Sequence, residues 1–438
     1  MRAWSPEQVA AAAGVHLARP ATAAPDGPPG PGRVTIDSRD VQPGDLFVGL
    51  SGRNVDGGRY AAAALAAGAW GALVSPEHDR DETREAPGVL LTSDDPLAGL
   101  QALARAWRRA LDARVVAITG STGKTSTKDL LAAMLAQQRR VAATEQNLNT
   151  EIGLPLTILA APAGTEVLVL EMAMRGPGQI AELTAIAEPD VGVIVNVGPV
   201  HLELLGSLEA IAAAKAELIA DLRPGATAVL PEGEPLLAAH RRDDLRTVTF
   251  GPGGDVAELP GDLELPFASR HMRSNALAAL AAARAVGVRP SGRLDVRLSA
   301  LRGQRIELPG PVLVIDDCYN ANPMSMRAAL DDLAASAPGR RVAVLGDMLE
   351  LGPQEGRFHG EIGDYATRSG IDVLVTVGPR AAAMAGSFRG ILYVTMDAAA
   401  ATDVVREIVA PGDTVLVKGS RGVGLEVVAQ GLRAAAGA

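Results

Sequence analysis

Apolar residues along the chain fall into short continuous runs separated by longer segments of helical period. "ARVVAITG", "EVLVLEMA" and "DVGVIVNVG" are such runs, bounded by glycine, proline or acidic residues. They lack the polar–apolar alternation of a half-exposed strand. Strands buried on both faces read this way, so residues 111–308 predict a mostly parallel sheet covered by helices. "PVLVIDD", "RRVAVLGDM", "DVLVTVG", "ILYVTM" and "DTVLVKGS" repeat the rhythm, each followed by a helical segment. Residues 309–438 therefore predict a doubly wound, Rossmann-like sheet. Residues 1–110 predict a smaller α/β domain. There "RVTIDSRDVQPGDLFVGL" alternates like strands about a turn at Pro43-Gly44, and "RYAAAALAAGAWGALVS" is a helix running into a strand. The expectation is α/β with three domains, 1–110, 111–308 and 309–438. The turn-forming Leu308-Pro309-Gly310 is the predicted linker, and the proline- and glycine-crowded stretch 20–32 a surface loop.

One helix breaks its own pattern. In "HLELLGSLEAIAAAKAEL", Leu208, Ile211, Ala212, Leu218, Ile219 and Leu222 recur at helical spacing, and Lys215 lies inside that stripe. The chain has 41 lysines and arginines together, of which four are lysine: Lys124, Lys128, Lys215 and Lys418. Arginine carries the routine surface charge, so a lysine in an apolar stripe needs a reason. A buried lysine loses its proton more readily, and the neutral amine can add carbon dioxide to become a carbamate, a carboxylate on a long stem. Arginine cannot do this, because its guanidinium stays charged. The alternative is a stem that packs while the ammonium reaches water. Periodicity leaves both open.

Composition narrows the class. At 438 residues with 47% hydrophobic content the chain is globular, and a formal charge of −10 argues against a nucleic-acid partner. The one cysteine, Cys318, excludes an internal disulfide framework. "MRAWSPEQVAAAAG" predicts a helix capped by Ser5, with Pro6 and Glu7 where a signal peptide would need an apolar run. "AAAALAAGAWGALV" is too short and glycine-interrupted to span a bilayer. A soluble cytoplasmic protein without membrane insertion is expected.

"VVAITGSTGKTSTKDLL" carries the clearest chemistry. A strand ends at Thr119, and Gly120, Ser121, Thr122, Gly123, Lys124, Thr125 and Ser126 lead into a helix. Glycines admit backbone amides to phosphate oxygens, the helix N-terminus adds positive potential, Lys124 reaches the terminal phosphates and Thr125 ligates Mg²⁺. The G-x-x-G-K-T spacing is shorter than the common phosphate loop, with Ile118 where the longer form has its first glycine. The bland alternative is an ordinary glycine turn. Lys128, one turn along, is expected on the solvated surface. Glu171 ends a strand on the ligand edge of the sheet, where it either holds Mg²⁺ or is solvated. His201 follows another strand at that edge, as a metal ligand or a structural residue.

Taken together, these stretches resemble the Mur ligase family over nearly the whole chain. They include "DSRDVQPGDLFVGLSGRNVDG", "GSTGKTSTKDLL", "QNLNTEIGLPLTIL", "EMAMRGPGQIAELTAIAEPDVGVIVNVGPVHLE", "AKAEL", "DDCYNANPMSMRAAL", "VLGDMLELG" and "LVKGSRG". The resemblance implies an ATP-dependent amide ligase that joins D-Ala-D-Ala to UDP-MurNAc-tripeptide, with two Mg²⁺ ions and no macromolecular partner, working as a monomer. It implies a domain for the UDP-sugar, a central ATP domain and a C-terminal domain for the amine. Lys124 and Thr125 are matched to phosphate and Mg²⁺, Glu171 and His201 to metal, and Lys215 to the family's carbamylated lysine. Asn275 is matched to adenine and Asp317 to the ribose. Ser38, Arg39, Asn149 and Thr150 fall on the sugar-substrate side. Tyr319, Asn320, Asn322, Asp347, Lys418 and Arg421 lie in motifs lining the closed cleft. An arginine expected near Gly303 is Arg302 or Arg305.

Some positions depart from the family. "EMAMRGPG" replaces Glu-Met-Gly-Ala-Asn-His, Met272 and Thr150 stand where asparagines are common, and the segment 250–271 is short, which puts the adenine-side contacts in question. Competing readings are the diamino-acid ligase of the same family, a folylpolyglutamate synthetase, and a regulatory phosphate-loop NTPase. The first lacks its Asp-Asn-Pro-Arg signature here.

Overall fold

The computed structural model describes residues 1–438 except 2, 21–28, 268 and 437–438. Most of the stretch 20–32, read as a surface loop, lies outside the described residues. The described residues form three sheets of five or six strands and one two-stranded sheet. In the first, Arg33–Thr35, Asp45–Val48, Gly71–Val74 and Val89–Thr92 run parallel, and His16–Arg19 closes the edge antiparallel. The Ser5 cap is present: Ser5 Oγ accepts from the Gln8 amide, and the Ser5 N–H donates to Gln8 Oε1.

The central sheet is parallel throughout. Its order is Arg246–Phe250, Thr227–Pro231, Val191–Ile194, Arg114–Thr119, Val167–Glu171 and Val141–Ala143. Val115 and Ala117 pack on one side with Ile211, Leu218 and Leu222, while Val116 and Ile118 pack on the other with Leu130, Met134 and Ala279. Two opposed cores explain why these strands show no alternation. In register, Glu171 lies beside Ile118, and Ile118 beside Val193. The ends of the three middle strands thus gather the phosphate loop, Glu171 and the segment leading to His201 at one edge.

The last sheet is parallel in the order Val312–Asp316, Thr414–Lys418, Arg341–Gly346, Val373–Val377 and Ile391–Thr395. A sixth strand, Gln304–Leu308, pairs antiparallel with Val312–Asp316. Leu308-Pro309-Gly310 is therefore the turn of a hairpin inside this sheet, with Gly310 at φ +81°, and not a linker between domains. Proline and glycine make the turn of a hairpin as readily as a linker, so the dipeptide did not decide between them. Among the described residues no helix is long and apolar enough to cross a membrane.

Candidate active site

The phosphate loop is braced from below by Asn196, at the end of the neighbouring strand segment. The Thr122 N–H donates to Asn196 Oδ1 at 3.0 Å, and Asn196 Nδ2 donates to the Thr122 carbonyl at 3.0 Å. The Ser121 amide donates to the Asn196 carbonyl at 3.1 Å, and Ser121 Oγ accepts from the Gly198 amide at 2.8 Å. With those amides committed, the first N–H groups of helix Lys124–Ala136, which lack intrahelical partners, remain to meet an anion. Gly123 has φ +77°, and a Cβ there would come within 2.5 Å of Asn275 Oδ1. Asn275, on helix Arg270–Ala285, is thus seated against the loop; its amide makes a weak contact with Met272 Sδ at 3.9 Å. Thr125 is buried and Ser126 half-buried at the start of the loop helix.

Lys124 Nζ donates to the Gly120 carbonyl at 2.8 Å. Burial holds its pKa below the usual lysine value, with Glu171 opposing and the charge of Arg302 adding to the effect. Arg302 lies 4.1 Å over the Tyr319 ring, whereas Arg305 pairs with Asp332 at 3.0 Å. Arg302 is the arginine whose charge is felt at the loop.

Glu171 is held from two sides. Asn149 Nδ2 donates to Oε1 at 2.9 Å, and the Glu171 N–H donates to Thr144 Oγ1 at 2.9 Å. Oε2 is buried without a partner. Asn149, expected near the sugar substrate, spends its amide on this carboxylate, and Thr150 follows it exposed.

Lys215, in helix Leu208–Ala220, is 2% exposed. Among the described residues its ammonium has no hydrogen bond or ion pair, and burial together with the charge of Lys124 drives its pKa well below the lysine value. So little of the residue reaches solvent that the snorkelling alternative is disfavoured. His201 sits at φ +53° with Nδ1 against Glu350 Oε2. Burial lowers its pKa against the pull of Glu350, and Lys124 and Lys215 push the same way as burial.

Lys128 corrects the expectation of a solvated residue. It is 4% exposed, donates to the Thr144 carbonyl at 2.8 Å and pairs with Asp129 at 2.6 Å. It thereby anchors the residue whose hydroxyl receives the Glu171 amide.

The C-terminal candidates divide into groups. Lys418, 2% exposed, donates to Asp317 Oδ2 at 2.6 Å and to the Asn320 carbonyl at 3.1 Å. That pair faces His271 of the central domain, whose low pKa comes first from burial, with Asp332 and Asp317 opposing and Lys418 assisting. Asn322 caps helix Pro323–Ser336, and Asp347 accepts from the Arg380 and Ala381 amides at 3.0 and 2.7 Å, so both are tied to the domain's own backbone. Arg421 pairs with Glu426 at 3.4 Å. In the first domain, exposed Arg39 grips Asp37 at 2.9 and 2.7 Å and lowers that carboxyl to about 2; Ser38 lies between them, half-buried.

Lys124, Arg302, the buried Lys215 amine and the orphaned Glu171 oxygen gather at the edge where a phosphate loop opens. Family models match in the same layout: a Mur ligase catalytic domain over residues 32–108, a Mur ligase middle domain over 118–283, and a Mur ligase glutamate ligase domain over 301–421. The chain belongs to the Mur ligase family. A UDP-N-acetylmuramoyl-tripeptide–D-alanyl-D-alanine ligase of Synechocystis is 38% identical over 92% of each chain. The crystal structure of a Mur ligase, MurF from Acinetobacter baumannii, superposes with a TM-score of 0.86 at 29% identity, covering 98% of this chain and 99% of that one. MurF of Thermotoga maritima in complex with ADP gives a TM-score of 0.81 at 31% identity, covering 92% and 97%. Two residues of this Mur ligase site had no signal as site residues in the sequence, Asn196 and Glu350. Asn196 stands in "VNVG" as an ordinary turn residue, and Glu350 lies 149 positions from the histidine it meets.

Proposed function

We propose that the chain is an ATP-dependent ligase that joins D-Ala-D-Ala to UDP-MurNAc-tripeptide, giving UDP-MurNAc-pentapeptide, ADP and phosphate. The observation that carries this reading is the convergence of Lys124, Glu171, His201 and Lys215 at the carboxyl edge of one parallel sheet. The relatives described above support the choice of substrates.

A carboxylate does not acylate an amine directly, because oxide is a poor leaving group. Attack of the tripeptide carboxylate on the γ-phosphorus of ATP breaks its bond to the β–γ bridging oxygen, giving an acyl phosphate and releasing ADP. The dipeptide's neutral amine then adds to its carbonyl, and the tetrahedral intermediate loses the amine proton to solvent as its C–O bond breaks and phosphate leaves. Lys124 and the helix amides hold the phosphoryl oxygens as charge shifts among them. Arg302 adds positive potential on the same side, and Asn196 keeps the loop in shape. The C-terminal domain covers the site and excludes the water that would hydrolyse the acyl phosphate.

The donor set fits Mg²⁺, which takes oxygen ligands. Glu171 offers a buried carboxylate oxygen with no other partner, and Thr125 a hydroxyl beside the loop. A Lys215 carbamate would supply further oxygens where the free amine has nothing to bond. His201 would complete the second of two sites. Mg²⁺ held there would offset phosphate charge.

Phosphate release from ATP is the test. It should require both UDP-MurNAc-tripeptide and D-Ala-D-Ala, and stay at background with free diamino acids or glutamate. Release indifferent to the dipeptide would return the chain to the regulatory-NTPase reading. The same reading takes the enzyme to be cytoplasmic and monomeric, and its elution volume checks the second.

A further inference from the structure

The turn Asp347–Gly352 belongs to the C-terminal domain, yet it touches the central domain at the histidine of the site. Its own fold fixes it. The Met348 amide donates to His359 Nε2 at 2.9 Å, the Leu349 amide donates to Ser420 Oγ at 3.0 Å, and the Ser420 amide donates to the Asp347 carbonyl at 3.0 Å. Glu350 then stands out at φ +63°, a left-handed conformation that costs a non-glycine residue energy.

From there Glu350 makes three contacts across the domain boundary. Its carbonyl accepts from the Glu203 amide at 3.3 Å. Oε2 meets His201 Nδ1, and Oε1 lies 3.8 Å from the Arg175 guanidinium. A Cβ on Gly352 would meet Glu203 Cα at 3.3 Å, so the backbones are in close approach. His201 is itself left-handed, at φ +53°. Two left-handed residues thus face each other across the domain boundary.

The pairing has a chemical consequence. A carboxylate oxygen accepts, so Nδ1 is the donor that fits this pair. With Nδ1 turned to the carboxylate, Nε2 is the ring nitrogen left to face a metal. Glu350 is the side chain that meets Nδ1, and it belongs to the C-terminal domain.

We propose that Glu350 is a positioning residue that couples closure of the C-terminal domain to completion of the metal site through His201. Arg175, in the segment that departs from the commoner family pattern, steadies the second carboxylate oxygen. An open enzyme then holds ATP at the phosphate loop with His201 unoriented, and the site is complete only when the domain bearing the amine is docked. The proposal rests on the ligase reading for its purpose, though not for its geometry.

The test compares full-length wild type, Glu350→Gln and Glu350→Ala. Ligation should fall roughly 10–100-fold in Glu350→Ala, the usual effect of removing an outer-shell partner, with KM for ATP within about twofold. The loss should appear in kcat and in a higher Mn²⁺ concentration for half-activity. Two readouts are independent of turnover. Amide hydrogen exchange at 202–206 should quicken in the variants, and titration of Mn²⁺ with ATP present, followed by electron paramagnetic resonance, should show about tenfold weaker binding at one site. Glu350→Gln keeps the shape, loses the charge and the Arg175 pair, and should fall between the others; it carries the test if the alanine variant does not fold. Unchanged exchange at 202–206 with unchanged Mn²⁺ binding would overturn the proposal. If wild type shows no dipeptide-dependent phosphate release, the ligase reading fails, while exchange and Mn²⁺ binding still decide whether the clamp exists.

Discussion

Two helices of the central domain each bury a lysine, and they treat it in opposite ways. In Lys124–Ala136, Lys128 has a carbonyl and a carboxylate for its ammonium. In Leu208–Ala220, Lys215 is buried as deeply and has neither. A buried charge with partners is a structural element, and it can be removed only at the expense of what it held. A buried amine without partners costs stability and gives nothing back to the fold, so its reason lies in chemistry. Burial alone does not separate the two cases; the partner inventory does.

The sharpest break in this comparison is substitution of each lysine. Lys215→Ala should lower ligation about 10³-fold or more, comparable to removing a transition-state contact, with partial recovery on adding a short carboxylic acid such as formate. Full activity in that variant would end the carbamate reading. Lys128→Met should instead cost about 1–3 kcal/mol of stability, because it leaves the Asp129 carboxylate and the Thr144 carbonyl short of a partner. Its ligation per folded molecule, measured well below the transition, should stay within about tenfold, since Glu171 is touched only through Thr144.

A smaller effect comes from a third buried base that does have partners. His359 Nε2 accepts the Met348 amide, and Nδ1 donates to the Glu355 carbonyl at 2.7 Å. Burial lowers its pKa below the ordinary histidine value. The unfolded chain therefore takes up a proton that the folded chain refuses as pH drops through about 6.5, and stability falls from there toward the folded pKa. Thermal midpoints between about pH 7.5 and pH 5.5 should decline less steeply in His359→Gln, which keeps an acceptor that does not titrate. The smallest effect has the opposite sign. Lys215→Met should raise stability by about 0.5–2 kcal/mol while abolishing ligation, a trade of activity for stability. A loss of stability there would mean that the fold needs the amine after all.

The sequence made the middle of the molecule legible and left its seams obscure. Continuous apolar runs ending in glycine located the central strands, and Gly-Lys-Thr after one of them located the loop. Lys215 was conspicuous because it broke a helical stripe. Lys128 was misjudged although it lies four residues after Lys124 and so on the same helical face. What decided its burial was Thr144, sixteen residues on, which no local pattern announces. The choice between Arg302 and Arg305 needed the strand Gln304–Leu308, hidden because its Pro-Gly turn read as a linker. Glu350 needed the two domains in contact, a relation carried by neither segment alone.

The scarcity of lysine has an experimental use. Three of the four lysines are buried and the fourth is folded into the phosphate loop. The described surface is therefore close to free of side-chain amines. In most proteins, carbon dioxide taken up by many exposed amines would obscure a single modified site. Here a sample equilibrated with ¹³C-bicarbonate offers Lys215 and the terminal amine as the main acceptors. A carbonyl resonance that persists in Lys418→Arg and vanishes in Lys215→Arg would report the modification directly, against a background this composition has already cleared.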